Sequence, residues 1–345
     1  MTKRIEIKNL GLIKTAIIDL KKVNIIIGEK YKSDILEIIY WLDTIEKKYF
    51  NYKLKYPYPT APVEFCEKYS KLTKIIQKDL KFGENGFIRY ESDYLRFKIT
   101  DTGISDLVET PDVEPPDSFF WHTTSYFPID RDKVLNLTDS SYQWMDPFSA
   151  DQPLREMIMN YIDEKRTGSD DIDINLKYLK DWGYDSDYLK VTNEGTFKLE
   201  RKHPFNETDL SDGLQYLAPI WIVLEYLRNR LTNGIFIDLP EHGVFPPKAS
   251  LLISNIIDDF VFRESDASDA SDKEDYQPNI YLTTNSGYII NTILEYKELV
   301  GKIGLIIING IPDEPLTYEV KSSDEETIQD VYDAGLDCFY NISAL

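Results

Sequence analysis

Cysteine and histidine are scarce in this chain, and their placement excludes two kinds of staple. Cys66 and Cys338 stand far apart with no metal-ligand spacing, and the three histidines do not gather around them. Neither a disulfide framework nor a zinc site follows, and a reducing cytoplasm is the expected setting. Long apolar runs are missing too. Leu217–Leu224 and Leu305–Ile308 are far shorter than a bilayer span, so no membrane association is expected. No long heptad tract occurs, which excludes a long coiled-coil arm. The first residues alternate isoleucine with charge and do not resemble a signal peptide. Positive charge is also short: 39 Lys and Arg stand against 60 Asp and Glu, a formal net charge of −21. That balance opposes broad binding to nucleic-acid phosphates and leaves room only for a local basic patch.

What is present points to a packed core. The chain has 345 residues, 42% hydrophobic and 13% aromatic. This suits one large α/β domain with an inserted lobe, or two domains. Residues 3–8 and 15–20 read as strands around a turn at Asn9–Leu12. Val23–Ile27, apolar except for Asn24, reads as a buried strand ended by Gly28. Ser33 or Asp34 is the expected cap of a helix running to about Lys48. A second helix is expected around 64–80. A hairpin fits 87–90 and 94–99, turned at Glu91–Asp93. Residues 101–118, acidic and proline-rich, read as an exposed loop. Thr123–Phe127 reads as a strand running into Pro128 and Arg131. Helices fit 152–165 and 174–182, and a hairpin fits 188–192 and 196–201. Pro246 and Pro247 open a further helix. Residues 263–277 are acidic and of low complexity, a solvated loop. Strands fit 279–282 and 303–308, with a short helix near 325–334.

Two stretches carry the chemistry. The first is Gly28-Glu29-Lys30-Tyr31-Lys32-Ser33, a strand, a turn and a helix in order. The second runs from Glu207 to Glu241. In it Leu210-Ser211-Asp212-Gly213 opens an apolar helix near Leu214, and Ile235-Phe236-Ile237 leads into Asp238. A helix N-terminus with free N–H groups and a serine hydroxyl suits a phosphate. An aspartate at the carboxyl end of a strand lies where open α/β sheets bind ligands, and it suits Mg²⁺.

This arrangement resembles the ATP-binding-cassette ATPases of the branch that holds the structural-maintenance-of-chromosomes proteins and the overcoming-lysogenization-defect (OLD) nucleases. Asn9, Gly11 and Ile13, Gly28-Glu29-Lys30, Ser211-Asp212-Gly213, Asp238 and Thr283-Thr284-Asn285-Ser286 carry the likeness. The resemblance implies a P-loop NTPase-like fold: a mixed sheet with flanking helices, an antiparallel N-terminal subsheet and an inserted helical lobe. The core is expected at 1–132 and 207–345, with the lobe at 133–206. It also implies ATP and Mg²⁺ as ligands. Gly28, Lys30, Lys32, Ser33, Ser211 and Gly213 would hold the nucleotide, and Asp238 with Ser33 the metal. Glu241 and Asn285 would take catalytic positions, and Arg131 would lie near the nucleotide or serve a structural ion pair. A homodimer, or pairing with another ATPase or nuclease subunit, is the implied assembly.

Four positions depart from the family pattern. Only Glu29, Lys30 and Tyr31 separate Gly28 from Lys32, fewer than a Walker A loop requires, and Tyr31 replaces its second glycine. Leu239 follows Asp238 where a glutamate would orient water. Asn285 replaces a histidine, and Asp212 a glycine. Losing a positioned base or a charge-stabilising group costs roughly 10²–10⁴-fold in rate each. The remainder after Ile308, through Leu345, reads as too short for the nuclease domain of the OLD proteins, so none is expected here. The expected protein is an ATPase-like chain with a degenerate site that works by binding, in phage defence or DNA surveillance. The alternatives are an active Mg-dependent ATPase that uses Lys30 or Lys32, Asp238 and Glu241, and an acidic interaction protein that binds no nucleotide.

Overall fold

The computed structural model describes residues 3–28, 30–56, 61–69, 80–110, 123–129, 151–165, 172–174, 188–192, 196–202, 205–209, 212–228, 230, 232–262, 278–299, 301–311 and 317–322. Along the chain run β1 (Lys3–Leu10), β2 (Ile13–Leu20), β3 (Val23–Gly28), α1 (Lys32–Lys55) and α2 (Ala61–Tyr69). Then come β4 (Phe82–Glu91), β5 (Leu95–Thr100), β6 (Gly103–Glu109), β7 (Thr123–Phe127), α3 (Asp151–Lys165) and β8 (Ile172–Ile174). They are followed by β9 (Tyr188–Val191), β10 (Phe197–Lys202), β11 (Phe205–Asp209), α4 (Asp212–Leu227), β12 (Thr232–Ile237) and α5 (Pro246–Phe260). β13 (Asn279–Thr283), α6 (Gly287–Leu294), β14 (Ile303–Gly310) and β15 (Tyr318–Ser322) complete the order. The fold is mixed α/β. Contacts divide it into two units, Met1–His122 with Asn279–Leu345, and Thr123–Pro278.

The first unit is built on a mixed sheet in the order β6-β5-β4-β1-β2-β15-β14-β3-β13. The strands from β6 to β2 pair antiparallel, while β14, β3 and β13 run parallel. β3 is buried along Val23–Ile27, as an apolar run demands. Its one polar residue, Asn24, is fully buried and satisfied. It accepts from the Lys21 N–H at 2.8 Å and donates to the Lys21 carbonyl at 2.7 Å.

Helix α1 packs on β3 and β13 with Ile35, Leu36, Ile39 and Leu42 buried at helical spacing. It continues past Lys48 because Tyr49 and Phe50 are buried as well, with the Tyr49 and Phe65 rings 5.2 Å apart. Its mid-length carries a buried ionic cluster. Lys3 Nζ lies 2.5 Å from Asp43 Oδ1 and 3.2 Å from Glu46 Oε2. Glu46 also accepts from the Tyr90 hydroxyl at 2.8 Å and from the Ser92 hydroxyl. Desolvation alone would lower the Lys3 ammonium. Asp43, Tyr90, Glu46 and Tyr281 outweigh it and raise Lys3 well above its ordinary value. The cluster pins β1 and β4 to α1, and a buried pair of this kind is costly to break from one side.

In the second unit β7 and β12 pair in parallel, and β11-β10-β9-β8 form a small antiparallel sheet. α3 packs against α4 and β7. α4 is apolar nearly all round, with Leu217, Ala218, Ile220, Trp221, Ile222, Val223 and Leu224 buried, so it is a core helix rather than a surface one.

Several expectations are corrected. The cap of α1 is Tyr31, with no side-chain hydrogen bond, rather than Ser33 or Asp34. Residues 103–109 form β6 instead of a loop. The open edge of β5 takes them up, Leu95 opposite Glu109 and Ile99 opposite Ile104, and the acidic end is neutralised when Glu109 meets Tyr49 and Lys53. Residues 172–174 form a strand where a helix was expected to begin. Glu207–Asp209 belong to β11, a strand that the sequence reading did not name. β15 and α6 had no counterpart in the sequence reading. The remainder of the expected 101–118 loop, the 174–182 helix beyond 174, the 193–195 turn, the 263–277 segment and the helix near 325–334 lie outside the described residues.

Candidate functional site

In the first unit, β3 delivers Gly28 to the end of the sheet. Gly28 has φ +149°, and a Cβ there would sit 2.8 Å from Ile308 Cβ on β14. Only glycine fits, because the position needs both the unusual backbone and the close approach. Tyr31 follows in the left-handed region at φ +62° and leads directly into α1. A bulky residue at positive φ is strained and needs support from its surroundings. Tyr318 supplies it, its ring packing edge-on with the centroids 5.1 Å apart.

Lys32, the first residue of α1, is 8% exposed. Its ammonium donates to the Gly28 carbonyl at 3.0 Å and to Asn285 Oδ1 at 2.5 Å. The turn is therefore closed by its own lysine, with Asn285 reaching in from just beyond β13. Of the residues singled out in the sequence, Lys32, Gly28 and Asn285 lie together. Lys30 is exposed, and Ser33 is half-buried in the first turn of α1. Glu29 lies outside the described residues. Thr284 is fully buried, and its hydroxyl accepts the Ser286 N–H at 2.9 Å, which fixes the bend from which Asn285 projects.

In the second unit, Asp238 stands at the carboxyl end of β12, 3% exposed, and its N–H donates to the Phe127 carbonyl at 2.9 Å. Leu239 follows at φ +45°, a second bulky residue in the left-handed region. The chain then coils tightly. His242 N–H donates to the Leu239 carbonyl at 2.8 Å, and Val244 N–H to the Glu241 carbonyl at 3.0 Å. Glu241 is half-buried within this coil.

The same coil covers the start of α4. A methyl on Gly213 would touch the Gly243 carbonyl oxygen at 3.4 Å, an ordinary contact. Gly243 is the glycine the packing demands: its φ is +70°, and a Cβ there would meet Tyr216 Cδ2 at 2.2 Å. The Tyr216 and His242 rings meet edge-on at 5.0 Å. Gly243 and Tyr216 were missed in the sequence. Their roles arise from contacts between distant residues, and no local signal marks them. Ser211 and Arg131 lie outside the described residues, as does the Asp212 side chain.

Among the described residues no group of three or more His, Cys, Asp or Glu could hold a metal ion. No described helix is long and apolar enough to cross a membrane.

Comparison with known proteins gives structural neighbours only. No family model matches the sequence, and no curated protein matches it. Solved structures of chromosome-maintenance heads resemble it. One is the SMC head domain from Thermotoga maritima, at 9% identity and a TM-score of 0.45, covering 94% of this chain and 99% of that one. A second is the SmcHead bound to the C-winged helix domain of ScpA, at 9% identity and 0.45, covering 95% and 99%. A third, derived from Pyrococcus furiosus, is the Smc head domain with an extended coiled coil bound to the C-terminal domain of ScpA. It matches at 9% identity and 0.44, covering 96% and 98%. Likeness this distant assigns no residue of this chain a role.

Proposed function

We propose that this chain is an ATPase-like protein with a degenerate nucleotide site, working as a regulatory or scaffolding subunit rather than as a turnover enzyme. The observation that carries the reading is the closed turn, in which Lys32 is bound to the Gly28 carbonyl and to Asn285. A phosphate cradle needs backbone N–H groups wrapped around the anion and a lysine extended over it. Here a tyrosine in left-handed backbone occupies the closing position, and the lysine turns back into its own loop. The residues present do not fit a bound triphosphate with its magnesium.

The second unit supports the same reading. Leu239, beside the buried Asp238, can neither accept a proton nor orient water. The likeness of the motifs to the cassette branch supplies the setting, phage defence or DNA surveillance, and the partner class, a second copy or an active ATPase or nuclease. Turnover of radiolabelled ATP by the purified chain, compared with Asp238→Ala, tests this. The expected result is no metal-dependent release of phosphate above the variant's background. Magnesium-dependent turnover that disappears in Asp238→Ala would establish an active ATPase instead.

A further inference from the structure

The antiparallel part of the first unit turns one face to the core and the other to solvent, and the solvent face is charged against the rest of the chain. Strand pairing places Arg4, Glu6 and Lys8 of β1 outward, opposite Glu91, Arg89 and Phe87 of β4. Arg89 and Glu91 in turn face Lys98 and Arg96 of β5. On these three strands Arg4, Lys8, Arg89, Arg96 and Lys98 face outward against Glu6 and Glu91, in a chain whose formal net charge is −21.

An aromatic ring lies among these cations. Phe87 is half-buried, with the Arg89 guanidinium carbon 5.3 Å and Lys98 Nζ 4.9 Å from its ring centroid. The ion pairs on the face are solvent-exposed, Arg89 to Glu6 at 2.7 Å and Arg4 to Asp19 at 3.8 Å. Exposed pairs of this kind are worth little, so each arginine can exchange its carboxylate for a phosphate.

We propose that the outward face of β1, β4 and β5 binds a single strand of nucleic acid. The backbone phosphates would lie along Arg4, Lys8, Arg89 and Arg96. The flexible Lys98 chain would swing from the ring to a phosphate, exposing the ring to a stacked base. A flat sheet face with a central aromatic suits splayed bases better than a duplex, whose bases are closed to it. The acidity of the remaining surface repels a polyanion and confines it to this face.

Fluorescence anisotropy of a fluorescein-labelled oligothymidylate, titrated with the full chain at low salt, tests it. Binding is expected with log Kobs falling against log salt at a slope of about −2 to −3, since single strands contribute about 0.7 per neutralised phosphate. Arg96→Glu with Lys98→Glu is expected to weaken binding about tenfold or more and to flatten the slope. Phe87→Ala is expected to weaken it about tenfold and leave the slope in place. Unchanged melting temperatures would show that these surface variants fold. Absence of binding, or equal affinity in the charge-reversal variant, overturns the proposal. So does a duplex bound as tightly as the single strand with no effect of Phe87→Ala. Binding to phosphatidylserine vesicles without binding to the oligonucleotide would also overturn it, in favour of a membrane surface.

Discussion

Two lysines enclosed against the same helix do different work. Lys3 lies between two carboxylates, Asp43 and Glu46, at the middle of α1. Lys32, at the start of α1, donates to a backbone carbonyl and a side-chain amide oxygen. The first contact is an ammonium neutralised by two buried carboxylates, so it belongs to the framework. The second joins a turn to the end of a strand through neutral oxygens, so it shapes a local segment. The difference teaches that this chain sets buried carboxylates against an ammonium where layers are pinned together, and ties the turn at Gly28–Lys32 to Asn285 through a side-chain amide oxygen.

The largest expected effect is at Lys3. Lys3→Met removes the ammonium that lies between the buried Asp43 and Glu46, and the expected loss is about 3–5 kcal/mol of unfolding free energy, measured by urea denaturation. A loss under about 1 kcal/mol would mean that water reaches the cluster and would break the comparison. Lys32→Met removes a donor from two neutral acceptors, one of them on the exposed Asn285. The expected loss is about 1–3 kcal/mol in the same assay. A loss equal to that of Lys3→Met would make Lys32 part of the framework as well.

The smallest effect is a pH dependence at Lys47, which borders the same cluster. Desolvation, with Lys3 beside it, lowers Lys47 from 10.5 to about 8 against the opposing pull of Asp43 and Glu46. Between those values the unfolded chain binds more protons than the folded one, so this group's contribution to stability rises with pH. Its penalty is full below pH 8 and is relieved as pH climbs toward 10.5. Lys47→Met should therefore compare more favourably with the parent at pH 7 than at pH 9.5 in paired thermal melts. A difference that stays constant, or changes in the opposite direction, would show that Lys47 keeps its ordinary proton affinity.

Much of the frame was legible before any coordinates. The apolar run Val23–Ile27, the 87–99 hairpin and the helices opening at 151 and 246 follow from periodicity and from proline placement, which are local signals. The turn at Gly28 was legible as the junction of a buried strand and a helix, and Lys32 and Asn285 were singled out from motif positions alone. Their mutual bond was not legible, because it joins residues far apart in sequence. Tyr31 as the cap of α1 was hidden by the capping rule itself, which looks for a short polar side chain at the helix start and found Ser33 and Asp34. β6 was hidden by its acidic composition. Pairing with β5 and the meeting of Glu109 with Tyr49 and Lys53 overrode local preference there. Gly243 was hidden because its need comes from the Tyr216 ring and not from its neighbours in the chain.

The central claim is that the Gly28–Lys32 turn is shut by its own lysine. A crystal soaked in millimolar ATP with magnesium tests it directly. The account predicts Lys32 Nζ still bound to Asn285 Oδ1 and the Gly28 carbonyl, with no triphosphate in the turn. A triphosphate held by the N–H groups at the start of α1, with Lys32 swung off Asn285 onto its phosphates, would contradict it.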